Sequence, residues 1–184
     1  VVISAGFKET DEAGAALEKE LAAKVKAYGM RCVGPNCLGV VNTDPAVRMD
    51  GCFAESLPQR GDIGFVSQSG ALGGGILNIL KDLNIGFSQF ISIGNQADVN
   101  AETAIEYWEN VDDVRQILLY MESIQNPANF RNLAARVSKK KPILALKSGR
   151  SAAGASAASS HTGSLAGSDR AADALLRQRS EERR

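Results

Sequence analysis

From residue 62 onward two hydrophobic patterns alternate along the chain. The runs IGFVS, FSQFISIG, QILLYMES and PILALKSG are short and apolar, as buried strands are. Between them, near residues 70–83, 101–110 and 126–138, apolar positions recur at helical spacing. Strands that alternate with helices predict βαβ units and a parallel sheet covered on both faces, a flavodoxin-like doubly wound α/β domain. Upstream, Ala13, Ala16, Leu17, Leu21, Val25 and Tyr28 mark an amphipathic helix that starts behind the caps Thr10 and Asp11 and stops at Gly29. Residues 31–33 and 40–42 read as short extended pieces around the turn GPNCLG, and residues 1–3 as the end of a buried strand. Residues 46–61, with a proline at 58 and no sustained period, read as a linker between a front segment, 1–45, and the domain at 62–184. Within that domain a loop rich in Ser, Ala and Gly at 149–169 precedes a last helix over residues 168–178.

Composition narrows the function classes. Apolar residues make up 44% and charged ones 23% of the 184 positions, which is the balance of a globular protein. Lys and Arg number 21 against 21 Asp and Glu, so no net field attracts nucleic acid or an anionic membrane. No apolar stretch approaches the ~20 residues that cross a bilayer, and the first residues lack the order of a secretion signal. A cytoplasmic protein is expected. Cys32, Cys37 and Cys52 form no CxxC pair, so they read as reduced thiols and no metal site is expected.

In an open parallel sheet the ligand crevice lies beyond the carboxyl ends of the strands. Four segments converge there: Ser67 to Ala71, Gly94 to Asp98, Glu122 with Ser123, and the loop holding His161. The turn SQSGALGGG opens a helix with small residues, so its first backbone N–H groups suit a phosphate; taken alone, Ser69 is equally a plain helix cap. His161 is the sole histidine, and near neutrality its ring nitrogen is a nucleophile able to take and return a phosphoryl group. Glu122 could accept a hydrogen bond from one ring nitrogen while the other attacks, or be a solvent-facing carboxylate at a strand end. Asp98 reads either as a supporting carboxylate or as an Asx turn or cap.

In this spacing GPNCLG, GFVSQSGALGG, SIGNQADVN, LLYMES and SSHTGS resemble the α-subunit region of ADP-forming acetyl-CoA synthetases, relatives of succinyl-CoA synthetase. The resemblance runs from residue 1 to about residue 178. It implies an acid–thiol ligase in which acyl-CoA and phosphate give acyl phosphate, a histidine takes the phosphoryl group, and ADP receives it. It implies His161 as that histidine, Glu122 as its orienting glutamate, Ser69, Gly70 and Ala71 as the phosphate-binding helix start, and Pro35 and Asn36 as lining the substrate site. It further implies that residues 1–45 close a Rossmann-like CoA-binding domain whose earlier segment is missing. CoA and ADP or ATP with Mg would serve the complete enzyme, an ATP-grasp β subunit or fused domain holding the nucleotide, and this chain alone would bind none of them firmly. The chain thus reads as cut at both ends.

Two other functions fit parts of the pattern. The order Ser69, then Asp98 or Glu122, then His161 is that of a serine hydrolase, although the elbow GxSxG would need glycine where Ser67 and Ala71 stand. A catalytically idle, synthetase-like regulatory or CoA-binding module, as in some protein lysine acetyltransferases, would need no phosphoryl carrier at position 161.

Overall fold

The computed structural model describes residues 1–55 and 57–148. His161, its loop and the helix expected over 168–178 lie outside them. Ten elements follow one another: α1 (Glu12–Ala27), β1 (Gly39–Asn42), β2 (Met49–Cys52), β3 (Arg60–Ser67), α2 (Gly70–Asp82), β4 (Phe87–Ser92), α3 (Ala101–Trp108), β5 (Gln116–Met121), α4 (Pro127–Val137) and β6 (Ile143–Lys147). Each helix starts where a side chain can cap it. Asp11, Ser69, Asn100 and Asn126 accept hydrogen bonds from Gly14, Leu72, Thr103 and Asn129 N–H groups at the four helix starts.

The six strands form one sheet in the order β2-β1-β4-β3-β5-β6. Strands β4, β3, β5 and β6 are parallel, and among themselves they have the second-first-third-fourth order of a flavodoxin-like sheet. The expected fold class is therefore present, with one addition: β1 and β2 form an antiparallel hairpin, and β1 pairs antiparallel with β4. The segment read as a linker carries β2 and the first residues of β3. Its short, polar strand MDGC is exposed at the sheet edge, so it lacks the apolar alternation that marks a strand in sequence. The expected division at residues 45 and 61 thus runs through this sheet.

Side chains alternate between two cores. On one face Phe65, Phe87, Phe90 and Leu77 of α2 pack with Leu38 and Val41. On the other, Val66, Ile117, Leu119 and Met121 meet Ile105 and Trp108 of α3 and Phe130, Leu133 and Val137 of α4. Consecutive residues Phe65 and Val66 are both fully buried because they point to opposite covered faces. Trp108 packs against Gly64, where a Cβ would come within 2.8 Å of its ring, and its indole N–H donates to the buried Gln89 carboxamide.

Residues 1–3 are not a buried strand. Val1 and Ile3 are exposed, and Val2 is tied on both sides, its amide donating to the Val33 carbonyl and its carbonyl accepting from the Cys37 thiol. Residues 31–33 are not part of the sheet, but with the segment that follows they run beside the β4 turn: the carbonyls of Cys32, Gly34 and Pro35 accept from the amides of Val99, Ala97 and Asn95.

Candidate functional site

β3 and β5 are neighbours whose following helices cover opposite faces of the sheet, so a crevice opens beyond their carboxyl ends. A cleft of about 730 Å³ lies there. Its wall is formed by Asn36, by Gln68 to Ala71, by Gly94 to Gln96, and by Glu122 with Ser123.

The chain enters the cleft from β3. Ser67 is fully buried and its hydroxyl donates to the Ser69 carbonyl, which fixes the turn. The Ser69 hydroxyl accepts from Leu72 N–H and the Ser69 carbonyl from Gly73 N–H. The amides of Gly70 and Ala71, in the first turn of α2, have no partner within the helix, and both residues line the cleft. Amides of this kind, with the positive end of the helix dipole, are able to attract an anion. The helix start is tightest at Gly73, where a Cβ would stand 3.0 Å from the Ser67 Cβ and 3.1 Å from the Phe90 ring; at Gly70 and Gly74 it would meet Leu38 at an ordinary 3.4 Å.

Gln68 spans the crevice. Its backbone N–H donates to Tyr120, its side-chain oxygen accepts from the amides of Glu122 at 2.8 Å and Ser123 at 3.0 Å, and its NH₂ donates to the Ser123 hydroxyl at 3.0 Å. Glu122 therefore leaves β5 on a backbone held by its neighbour strand.

The third side of the cleft is the turn after β4. Gly94 and Gln96 have φ of +49° and +58°, and the turn lies against the Gly34–Asn36 segment. Asn36, with φ of +55°, donates from its carboxamide to the Asn95 side-chain oxygen at 3.3 Å. Asn95 is buried, and its NH₂ donates to Glu9 at 2.5 Å and to Glu18 at 2.8 Å. Lys8 joins the same group, paired with Glu18 at 3.0 Å and donating to the Asn95 carbonyl. It is the only Lys or Arg on the cleft wall among the described residues.

The structure thus brings Ser69, Gly70, Ala71, Asn36 and Glu122 to one cavity. Pro35 stands behind it, its carbonyl accepting from Asn95 N–H. Asp98 is off the cleft wall: its carboxylate accepts from the Cys32 amide at 2.7 Å and pairs with Arg31 at 3.0 Å, so it bolts the 31–32 segment to the β4 turn. Ser69 has ordinary extended angles, φ −93° and ψ 123°, and its hydroxyl is used as a cap, so it is not the strained nucleophile of a hydrolase elbow.

Lys8, Glu9 and Glu18 were not legible as site neighbours, because a charged side chain on or before a surface-patterned helix has no periodic mark. Gln68 could be placed in the turn from sequence but not given a task.

A family profile for the succinyl-CoA ligase-like flavodoxin domain matches residues 60–180. The α subunit of ADP-forming acetate–CoA ligase II from Pyrococcus furiosus is 45% identical over 97% of the chain, which spans 38% of that protein. A 4-hydroxybutyrate–CoA ligase (ADP-forming) from Nitrosopumilus maritimus is 42% identical over 97% of the chain, here spanning 26% of the relative. Among solved structures, the dinucleotide-forming acetyl-coenzyme A synthetase 1 of Candidatus Korarchaeum cryptofilum, in complex with phosphate and ADP, superposes with a TM-score of 0.89. It is 37% identical, and the match covers 96% of this chain and 38% of that one.

Proposed function

Because the chain belongs to the succinyl-CoA ligase-like flavodoxin family, we propose that it is the phosphoryl-transfer part of an ADP-forming acyl-CoA synthetase. The supporting observation is the cleft itself. A capped helix start able to attract an anion, a glutamate whose backbone is held to the adjacent strand end, and Asn36 line one cavity.

Each residue has a task on this reading. The amides of Gly70 and Ala71, behind the Ser69 cap, hold the phosphoryl oxygens as phosphate attacks the acyl carbonyl of acyl-CoA and the CoA thiolate leaves. His161 then attacks the phosphorus of the acyl phosphate, displacing the carboxylate, and later yields the phosphoryl group to ADP. Glu122 accepts a hydrogen bond from the other ring nitrogen of His161, which fixes the tautomer and supports the charge that develops on the ring. Asn36 and the Pro35 turn line the acyl side. Asp98 supports the turn at one remove. The nucleotide sits on an ATP-grasp subunit or fused domain. Residues 1–45 close a Rossmann-like CoA-binding unit while lending β1 to the flavodoxin-like sheet.

The test is to assemble the complete α chain with its ATP-grasp partner, supply γ-labelled ATP, and look for acid-labile, base-stable label. Label on a peptide containing His161, absent in His161→Ala and discharged by acid plus CoA, is the expected result. Glu122→Gln should slow its formation by about 10². No label despite bound nucleotide would leave an idle, regulatory module as the better reading.

A further inference from the structure

We propose that Gln68 is a positioning residue of this site: its side chain, reaching from the end of β3 to the end of β5, sets the direction in which Glu122 and Ser123 enter the cleft. The inference rests on the phosphoryl-transfer reading for its rate readout, and on geometry alone for the rest.

Parallel strands end their ladder where the chain turns away, and the next amides must find other partners. At β5 those amides belong to Glu122 and Ser123. Both are satisfied by one atom, the Gln68 side-chain oxygen, while Gln68 itself is held to Tyr120 through its own N–H. The residue is buried, 8% exposed, so water does not replace it readily. Its NH₂ fills a lone pair of the Ser123 hydroxyl, which leaves that hydroxyl's proton to be donated into the cleft. A glutamine is the fitting residue. It offers one acceptor to two amides and one donor to a hydroxyl, and it is neutral beside Glu122. Asparagine is one methylene too short to reach both amides, and a methionine of similar length offers no strong acceptor.

The test uses the complete enzyme with its nucleotide-binding partner and three variants, Gln68→Met, Gln68→Asn and Gln68→Glu. Three quantities are read: hydrogen exchange at the Glu122 and Ser123 amides, the single-turnover rate of labelling from γ-labelled ATP, and KM for acyl-CoA. In Gln68→Met both amides should exchange at least about tenfold faster. Labelling should slow about 10- to 100-fold, the loss that a displacement near 1 Å produces, with KM within about twofold. Gln68→Glu keeps the acceptor and should restore the protection of both amides, while its charge beside Glu122 and the lost donor to Ser123 leave labelling slow. If the Met variant does not fold, the Asn variant supplies the same readings. Unchanged exchange in a folded Met or Asn variant overturns the inference, as does faster exchange with an unchanged labelling rate, or a change in KM alone. If the wild-type enzyme itself takes no label, the phosphoryl-transfer reading fails on that arm, and amide exchange still decides whether Gln68 holds the strand end.

Discussion

Gly94 lies so close against Asn36 that a Cβ on it would stand 2.3 Å from the Asn36 carbonyl oxygen and 2.3 Å from that of Pro35. At this point the two turns that form one side of the cleft are therefore fitted backbone to backbone.

Gly94→Ala should consequently be among the most damaging small substitutions in the molecule. The residue sits at φ +49°, which alone costs alanine about 1 kcal/mol, and the clash is with carbonyls that cannot rotate away. Urea denaturation should show a loss of about 3 kcal/mol or more. A loss below about 1 kcal/mol would mean that the turns separate easily.

Acid should loosen the same corner. Burial pushes the Glu9 carboxyl up, yet the hydrogen bonds from Asn95 and from the Gly6 and Phe7 amides together outweigh it and hold the group below its ordinary 4.5. Asp98 behaves alike: burial raises it, and Arg31 with the Cys32 amide brings it below its ordinary 3.8. A carboxyl lowered in the folded state contributes stability that is present above its unfolded value and is lost as pH falls through the folded one. Stability should be level between about pH 6 and 8 and fall below about pH 4. Asn95→Leu removes the donor that Glu9 and Glu18 share, so it should lower stability at pH 7 and flatten the acid limb. An acid limb as steep as in the wild type would show that Asn95 is not what lowers Glu9.

Asp98→Ala separates scaffold from chemistry. It removes a charged acceptor of the Cys32 amide and should cost about 1–2 kcal/mol of stability. The rate of label uptake from ATP in the complete enzyme should stay within about threefold. A loss beyond about tenfold in a folded variant would place Asp98 in the reaction itself.

The cysteines should be slow to react. Cys37 lines the cleft but is buried, and burial pushes its thiol above the ordinary 9.0, as it does for Cys32 and Cys52. With less thiolate at neutral pH than a free cysteine, Cys37 should alkylate with iodoacetamide at pH 7.5 far more slowly in the folded protein than in urea. Equal rates in the two states would show that the cleft opens to the reagent.

What could be read from sequence divides along physical lines. The helices and the parallel strands were legible because burial on one helical stripe or on both sheet faces imposes a period: α2, α3 and α4 start within about one residue of the stretches that spacing marks. The start of α2 behind the Ser69 cap was legible because SQSG follows an apolar run and opens a stretch of helical spacing. Strand β2 was not, since an exposed edge strand of four residues needs no apolar pattern. The bonds that place the site were equally hidden. Gln68 to Ser123 and Asn95 to Glu18 span 55 and 77 residues, and a hydrogen bond between polar side chains leaves no periodic trace at either end.

The antiparallel hairpin has a practical consequence for anyone who would divide this protein. Strand β4 is an interior strand only because β1 lies beside it, and five of its six residues are buried. A cut at residue 61, where the composition suggests one, would bare the hydrogen-bonding edge of an apolar strand and invite pairing between molecules. A cut ahead of the GPNCLG turn would leave that edge sheathed, so a piece that keeps β4 covered must begin before β1 rather than at residue 62.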